Sequence, residues 1–455
     1  MSNNSDYEAF LDSKSQLGGD FGFDPLWMPD FLFGFQKHLV EWAIRKGRAA
    51  IFADCGLGKT PMQLVWAENV RRKTNGNVLI LTPLAVSHQT VREGEKFGIE
   101  CYRSPDGRHT GGIVLTNYER LSHFDPDNFA GVVCDESSVL KHFGGKRREE
   151  ITEFMRTRPY RLLCTATAAP NDYYELGTSS EALGYLGYQD MLTRFFKQET
   201  KKDYLGWGRM KYRFRGHAEQ PFWRWVCSWA RSCRKPSDLG FDDGKFILPP
   251  LTVKEHTVDC HKTLPGFLFA MPGRDLREQR QERRITLQER CEMVADLVNQ
   301  HNGPSVSWCH LNPEGDLLEK IIPEGLQVCG SMSDEAKEER LLAFQSGQLK
   351  RLITKPKIGC FGLNWQHCRY VTTFPTHSWE QYYQAVRRCW RFGQEHPVSV
   401  EVVTTEGETN VLKNLQRKSD GCDRMFESIV SHMGDELRVD KGLTFAKTEE
   451  VPSWL

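Results

Sequence analysis

The chain has 455 residues, with 60 Lys and Arg against 60 Asp and Glu, so it exceeds a single hydrophobic core and exerts no global electrostatic pull on nucleic acid. A hydrophobic content of 39% and a mean hydropathy of −0.54, with no apolar run near the roughly 20 residues of a membrane span, predict globular domains without a membrane partner. The polar start Met1-Ser2-Asn3-Asn4 and 14 cysteines without any Cys-x-x-Cys pair point to a reduced cytoplasmic protein and argue against a zinc site.

Residues 1–30 are rich in Gly, Asp and Pro and predict an irregular N-terminal arm. Phe31-Leu32-Phe33-Gly34-Phe35-Gln36 then leads into an amphipathic helix through Leu39, Trp42 and Ala43. An amide such as Gln36 can donate to and accept from an adenine edge, and equally can be an ordinary helix-surface residue. Next, the apolar run Ala49-Ala50-Ile51-Phe52 precedes Ala53-Asp54-Cys55-Gly56-Leu57-Gly58-Lys59-Thr60, followed by Met62, Leu64, Val65 and Trp66 at helical spacing. That is strand, phosphate loop, helix. Gly56, Leu57 and Gly58 let the backbone wrap a polyphosphate, Lys59 reaches terminal phosphates, and the Thr60 hydroxyl can bind Mg2+. Ala53 replaces the usual first glycine, which a negative φ tolerates.

Short apolar runs recur at Val78–Leu81, Ile113–Leu115, Val132–Cys134 and Arg161–Cys164, separated by helix-compatible stretches. Such alternation predicts a parallel α/β sheet whose ligands bind beyond the C-terminal strand ends. Asp135-Glu136 falls at one of those ends, where Asp135 can hold Mg2+ and Glu136 can orient or deprotonate water; the same pair also occurs at ordinary helix caps. Thr165-Ala166-Thr167 ends the next strand as a relay candidate or a plain turn.

Residues 190–250 interleave bases and aromatics, including Lys201, Lys202, Arg213 and Arg215. Cations and ring faces suit a single nucleic-acid strand, whereas Phe222, Trp225, Val226 and Trp229 have the helical spacing of core residues. Leu248-Pro249-Pro250-Leu251 reads as a linker, and a charged helix spans Arg274 to Arg290. A second α/β alternation begins near Thr286, with strand candidates around Val306, Gln327, Ile353, Val371 and Val400 and no phosphate loop of its own. Its segment Gln384 to Gln394 places Arg388 and Arg391 three apart, predicting a shared helix face. An arginine fork on a γ-phosphate contributes about 10³ to 10⁵ in rate in phosphoryl transfer; alone, the pattern also fits a solvated basic helix.

In order, these segments resemble superfamily 2 helicases, over roughly residues 31–180 and 286–405. Phe35-Gln36 is similar to the adenine-reading motif, Gly56 to Thr60 to the Walker A loop and Asp135-Glu136 to the Walker B pair. Thr82-Pro83 and Thr116-Asn117-Tyr118-Glu119 resemble first-domain segments that hold a nucleic-acid backbone, and Thr165-Ala166-Thr167 the coupling motif. In the second half, Gly359 to Asn364 resembles motif V, with Gly362 and Asn364 in coupling positions, while Gln384, Arg388 and Arg391 match motif VI. The spellings Gly56-Leu57-Gly58-Lys59-Thr60, Leu115-Thr116-Asn117-Tyr118, Gly362-Leu363-Asn364 and Arg391-Phe392-Gly393-Gln394 are similar to the SWI/SNF-type translocases. The short chain resembles compact phage and prophage helicases of DEAD/DEAH type. Two departures stand: Walker B continues as Ser137-Ser138, and Arg387 occupies a position where many superfamily 2 members carry Gly.

The resemblance implies a fold of two tandem RecA-like α/β domains, at 31–185 and 286–410, with parallel sheets flanked by helices. A helical basic-aromatic insertion and linker would occupy 186–285, and a helical tail 411–455. It also implies a monomeric cytoplasmic ATPase, in a bacterial host if phage-encoded, that uses ATP and Mg2+ to move along single- or double-stranded DNA. Thr354 and Lys355 join Thr82, Pro83, Thr116 and Asn117 as expected nucleic-acid contacts. RNA as the track, or a nucleic-acid-binding protein with an inactive ATP site, are the alternatives.

Overall fold

The computed structural model describes residues 19–83, 86–141, 144–202, 208–258, 276–359 and 364–440. They divide into two compact units, one comprising residues 1–243 with 421–455 and the other residues 244–420. Each is an α/β unit built on a parallel sheet flanked by helices, the architecture expected of two RecA-like domains. Among the described residues no helix is long and apolar enough to cross a membrane.

The first unit runs α1 (Gly34–Lys46), β1 (Arg48–Ala53), α2 (Lys59–Thr74), β2 (Asn77–Thr82), α3 (Ser87–Phe97), β3 (Cys101–Arg103), β4 (Ile113–Asn117), β5 (Phe129–Asp135), α4 (Lys146–Arg156) and β6 (Tyr160–Cys164). It continues through α5 (Leu176–Leu183), α6 (Tyr188–Phe195), β7 (Phe196–Lys202), β8 (Gly208–Phe214), α7 (Glu219–Cys227) and β9 (Ala230–Cys233). Seven parallel strands lie in the order β3-β4-β2-β5-β6-β1-β9. Strands covered on both faces need unbroken apolar runs, and β1, β2, β4 and β5 have them. Helix α2 is buried nearly all round, polar groups included, because the N-terminal arm covers its outer side. There the Asn69 amide accepts from the N–H groups of Leu26 and Trp27 at 2.9 and 3.0 Å and donates to the Trp27 carbonyl at 2.8 Å.

The segment read as insertion and linker is not wholly outside the sheets. Ala230–Cys233 adds an edge strand beside β1, although it lacks an apolar run. The basic-aromatic stretch, expected to be helical, contains an antiparallel hairpin, β7 with β8, pairing Phe196 with Phe214 and Lys197 with Arg213. As the helical spacing predicts, Phe222, Trp225, Val226 and Trp229 are core residues, and Trp229 packs edge-on against Phe52 of β1.

The second unit runs β10 (Leu251–Val258), α8 (Leu276–Ile285), α9 (Leu287–Gln300), β11 (Ser305–Trp308), α10 (Asn312–Ile321), β12 (Gly325–Val328), α11 (Asp334–Gln345) and β13 (Arg351–Thr354). Then come α12 (Pro356–Gly359), β14 (Tyr370–Thr373), α13 (Trp379–Val386), β15 (Val398–Thr405) and α14 (Thr409–Asp440). Its six parallel strands follow the order β10-β15-β14-β11-β13-β12. The predicted linker prolines thus lead straight into a strand, fixed where the Val398 N–H donates to the Pro250 carbonyl at 3.0 Å. The last part of α14 belongs to the first unit, where Arg234 pairs with Asp423 and lies over the Phe426 ring.

Candidate functional site

The loop after β1 is shaped by two glycines in the left-handed region, Gly56 at φ 90° and Gly58 at φ 74°. At Gly58 a side chain is also excluded by space, since a Cβ would stand 2.4 Å from the Gln36 amide nitrogen. That amide nitrogen donates to the Leu57 carbonyl at 2.9 Å, and Gln36 Oε1 accepts from the Phe33 N–H at 3.0 Å. Gln36, only 1% exposed, therefore braces the loop from behind, a role that its expected adenine contact did not include. Lys59 opens α2 and folds its Nζ back to the Ala53 carbonyl at 3.0 Å and the Asp54 carbonyl at 3.4 Å. The ammonium is thereby held inside the curve of the loop.

Asp135 ends β5, two strands from β1 across β6. Its Oδ1 accepts from Gln63 Nε2 at 2.7 Å, and Gln63 lies one turn beyond Lys59 on α2. Burial pushes the Asp135 carboxyl up in pKa, against the Gln63 hydrogen bond and the nearby Lys59 charge, which pull it down. Glu136 follows at φ 53°, a left-handed backbone rare outside glycine and a local strain that the surroundings must hold. The Thr165 hydroxyl, at the end of β6, donates to Glu136 Oε2 at 3.3 Å, and the Thr167 N–H donates to Thr165 Oγ1 at 3.0 Å. The expected coupling residues Thr165 and Thr167 are thus tied to the Glu136 carboxylate.

Along the same edge the sheet carries buried polar atoms without hydrogen-bond partners among the described residues. They are Ser104 Oγ after β3, Thr116 Oγ1 and Asn117 Oδ1 at the end of β4, Thr82 Oγ1 at the end of β2, Ser137 Oγ after β5, and Gln63 Oε1. Register places Thr82 beside Asn117 and Leu81 beside Thr116, so three of these belong to one pair of strand ends. A folded interior rarely leaves such groups unmet unless a ligand or water meets them. Thr82, Thr116 and Asn117 are nucleic-acid contacts expected from sequence; Pro83 follows at once and is partly exposed. Ser104, Gln63 and Ser137 were not foreseen, because a lone polar residue has no spacing signature until the strand ends are side by side.

The hairpin's bases are engaged internally. Arg213 pairs with Glu199 at 2.7 Å, and Arg215 Nε donates to the Phe196 carbonyl at 2.8 Å. The backbone of Lys201 and Lys202 forms β7, and their side chains lie outside the described residues.

In the second unit Thr354 is fully buried and its hydroxyl donates to the Val328 carbonyl at 2.9 Å. Lys355, next along, donates to Asn312 Oδ1. The shared helix face expected of Arg388 and Arg391 is corrected: α13 ends at Val386, and the chain tightens into successive turns. The Arg388 carbonyl accepts from the Trp365 N–H at 3.0 Å, and the Trp390 indole donates to the Pro249 carbonyl at 2.7 Å, so tertiary contacts set the path there. Gln384 and Arg388 are buried, while Asn364 Oδ1 has no partner among the described residues; Gly362 lies outside them.

The first unit's groups fit a magnesium nucleotide. The glycine loop, with Lys59 inside it, matches a polyphosphate. A buried carboxylate whose pKa is pushed up gains from an adjacent divalent cation, and Asp135 is such a group. Thr60, on the first turn of α2, supplies a partly exposed hydroxyl. No group of three or more His, Cys, Asp or Glu side chains placed to hold a metal ion exists among the described residues.

No protein-family profile matches the chain, and no curated protein matches it. Among solved structures, the chain is similar to the Sulfolobus solfataricus SWI2/SNF2 ATPase core in complex with dsDNA, at 16% identity and a TM-score of 0.42, covering 91% of this chain and 98% of that one.

Proposed function

We propose that the protein is an ATP-driven DNA translocase, a nucleic-acid-stimulated ATPase. The observation that carries this reading is the single sheet edge on which the glycine loop with its inward Lys59, the Gln63-held Asp135 and the strained Glu136 stand beside unmet polar groups on β4 and β2. The loop N–H groups, Lys59 and Thr60 would bind the phosphates, and Thr60 with Asp135 would hold Mg2+. The metal would neutralise charge developing on the transferred phosphoryl group. Glu136 orients or deprotonates the attacking water, and the Thr165 hydroxyl holds its carboxylate. Thr82, Thr116 and Asn117 bind the phosphodiester backbone through hydroxyl and amide groups, which position a strand without reading its sequence. We further propose that Arg388 and Arg391 take part in hydrolysis, with Gln384 and the 362–364 segment in coupling.

The test is steady-state ATP turnover without nucleic acid and with single-stranded DNA, duplex DNA and RNA. Strong stimulation by DNA is expected. Turnover indifferent to all three would remove the motor, and preference for RNA would replace the track. Backbone contacts also predict a DNA affinity that falls with salt, with a slope near −0.9 per neutralised phosphate on duplex.

A further inference from the structure

Between the unmet polar atoms of β4 and the carboxylates after β5 stands one side chain that the proposed function leaves without a task. Tyr118 follows Thr116 and Asn117 directly, at the point where β4 turns into a short 3-10 segment. Its ring is buried, and its hydroxyl donates to the main-chain carbonyl of Asp135. That carbonyl belongs to the peptide linking Asp135 to Glu136, whose φ of 53° depends on how that peptide is oriented. A shift of the Thr116-Asn117 backbone toward a ligand therefore pulls on the residue that fixes the Glu136 peptide.

Resting on the reading of this unit as a DNA-stimulated ATPase, we propose that Tyr118 is a positioning residue that couples occupancy of the Thr116-Asn117 strand end to the orientation of Glu136. It touches neither nucleotide nor DNA in this role. The physical content is a two-ended contact: β4 supplies the ligand-sensing atoms, and the phenol hydroxyl transmits their displacement to the Asp135-Glu136 peptide.

The experiment uses the full chain and the variant Tyr118→Phe, which keeps the ring and deletes the donor. ATP turnover is measured across a duplex-DNA titration, with DNA affinity and nucleotide affinity measured separately. The expected result is a ratio of DNA-stimulated to basal turnover lowered about fivefold, the order of one neutral hydrogen bond, with DNA affinity within twofold of wild type. A purely structural tyrosine would lower stimulated and basal rates together, and an unchanged ratio overturns the proposal. If wild type itself shows no stimulation, the translocase reading fails instead. Should Tyr118→Phe melt below the assay temperature, Thr116→Val, Tyr118→Phe and their combination are compared at a lower temperature in a double-mutant cycle on the same ratio. Non-additive losses support the path from β4 to Glu136, and additive losses overturn it.

Discussion

Threonines at the C-terminal strand ends of the two sheets differ in how the fold meets their hydroxyls. In the first unit Thr82, Thr116 and Asn117 are buried with polar atoms that no described residue meets. In the second, the Thr354 hydroxyl is spent on the Val328 carbonyl and Lys355 on Asn312. Threonines at comparable strand ends thus differ in whether the fold has already satisfied their hydroxyls, and in the second sheet Trp308 Nε1, at the end of β11, is also without a partner among the described residues.

The sharpest way to break that contrast is at the loop. Lys59→Ala removes the ammonium inside the glycine curve, and ATP turnover should fall at least a hundredfold, about 3 kcal/mol or more in transition-state terms; turnover within a few-fold of wild type would show that the loop is only a helix cap.

A large stability effect is expected from the second unit's interior. Arg290 and Glu314 are both fully buried and pair at 2.9 Å, and Glu314 also accepts from the N–H groups of His310 and Leu311 at 2.8 and 2.9 Å. Burial pushes the Glu314 carboxyl up, but Arg290 and those N–H groups outweigh it and hold it below its usual range. A carboxylate whose folded pKa is depressed adds stability that is present above the ordinary Glu value and lost as pH falls through the folded one. Glu314→Ala should cost about 3 to 5 kcal/mol, because it strands a buried guanidinium. It should also flatten the acid limb of stability in denaturant melts; an acid limb identical to that of wild type would contradict this account.

How much of this was legible depends on whether the signal is local. The Gly56 to Thr60 loop and the Asp135-Glu136 pair could be read because each is a short segment whose chemistry is set by consecutive residues. The strand ends around Thr82 and Thr116 could be read because apolar runs mark where strands stop. Gln63 could not, since its partner Asp135 lies on a strand distant in sequence and a glutamine within a helix has no pattern. Strand β9 was hidden because Ala230-Arg231-Ser232-Cys233 draws its stability from pairing with β1 and has no hydrophobic run. The end of α13 before Arg388 was hidden as well, since no glycine or proline stops it and contacts with Trp365 and Pro249 do.

Smaller effects sharpen the comparison between the two edges. Thr354→Val deletes a satisfied hydroxyl and should destabilise by about 1 kcal/mol, leaving the Val328 carbonyl short of a partner. Thr116→Val deletes an unmet one and should be neutral or slightly stabilising, because burying an unpaired hydroxyl costs free energy. Thermal or urea melts of both variants decide it, and equal losses would erase the distinction. Least is expected from the hairpin. Arg213 is exposed and already paired with Glu199, so Arg213→Ala should change stability by less than about 0.5 kcal/mol. If the hairpin contacts DNA, replacing Lys201, Lys202, Arg213 and Arg215 together by Ala lowers the salt slope of binding; an unchanged slope assigns the segment to structure.

The proposed translocase requires that the unmet edge of the first sheet receive the nucleic acid that drives ATP turnover. Its most direct measurement is ATP turnover against duplex-DNA concentration for wild type and for Thr82→Val/Thr116→Val. The account predicts stimulation of both, with the double variant needing several-fold more DNA for half-maximal effect while its unstimulated stability is undiminished. Coincident curves, or a wild type that DNA does not stimulate, would contradict it.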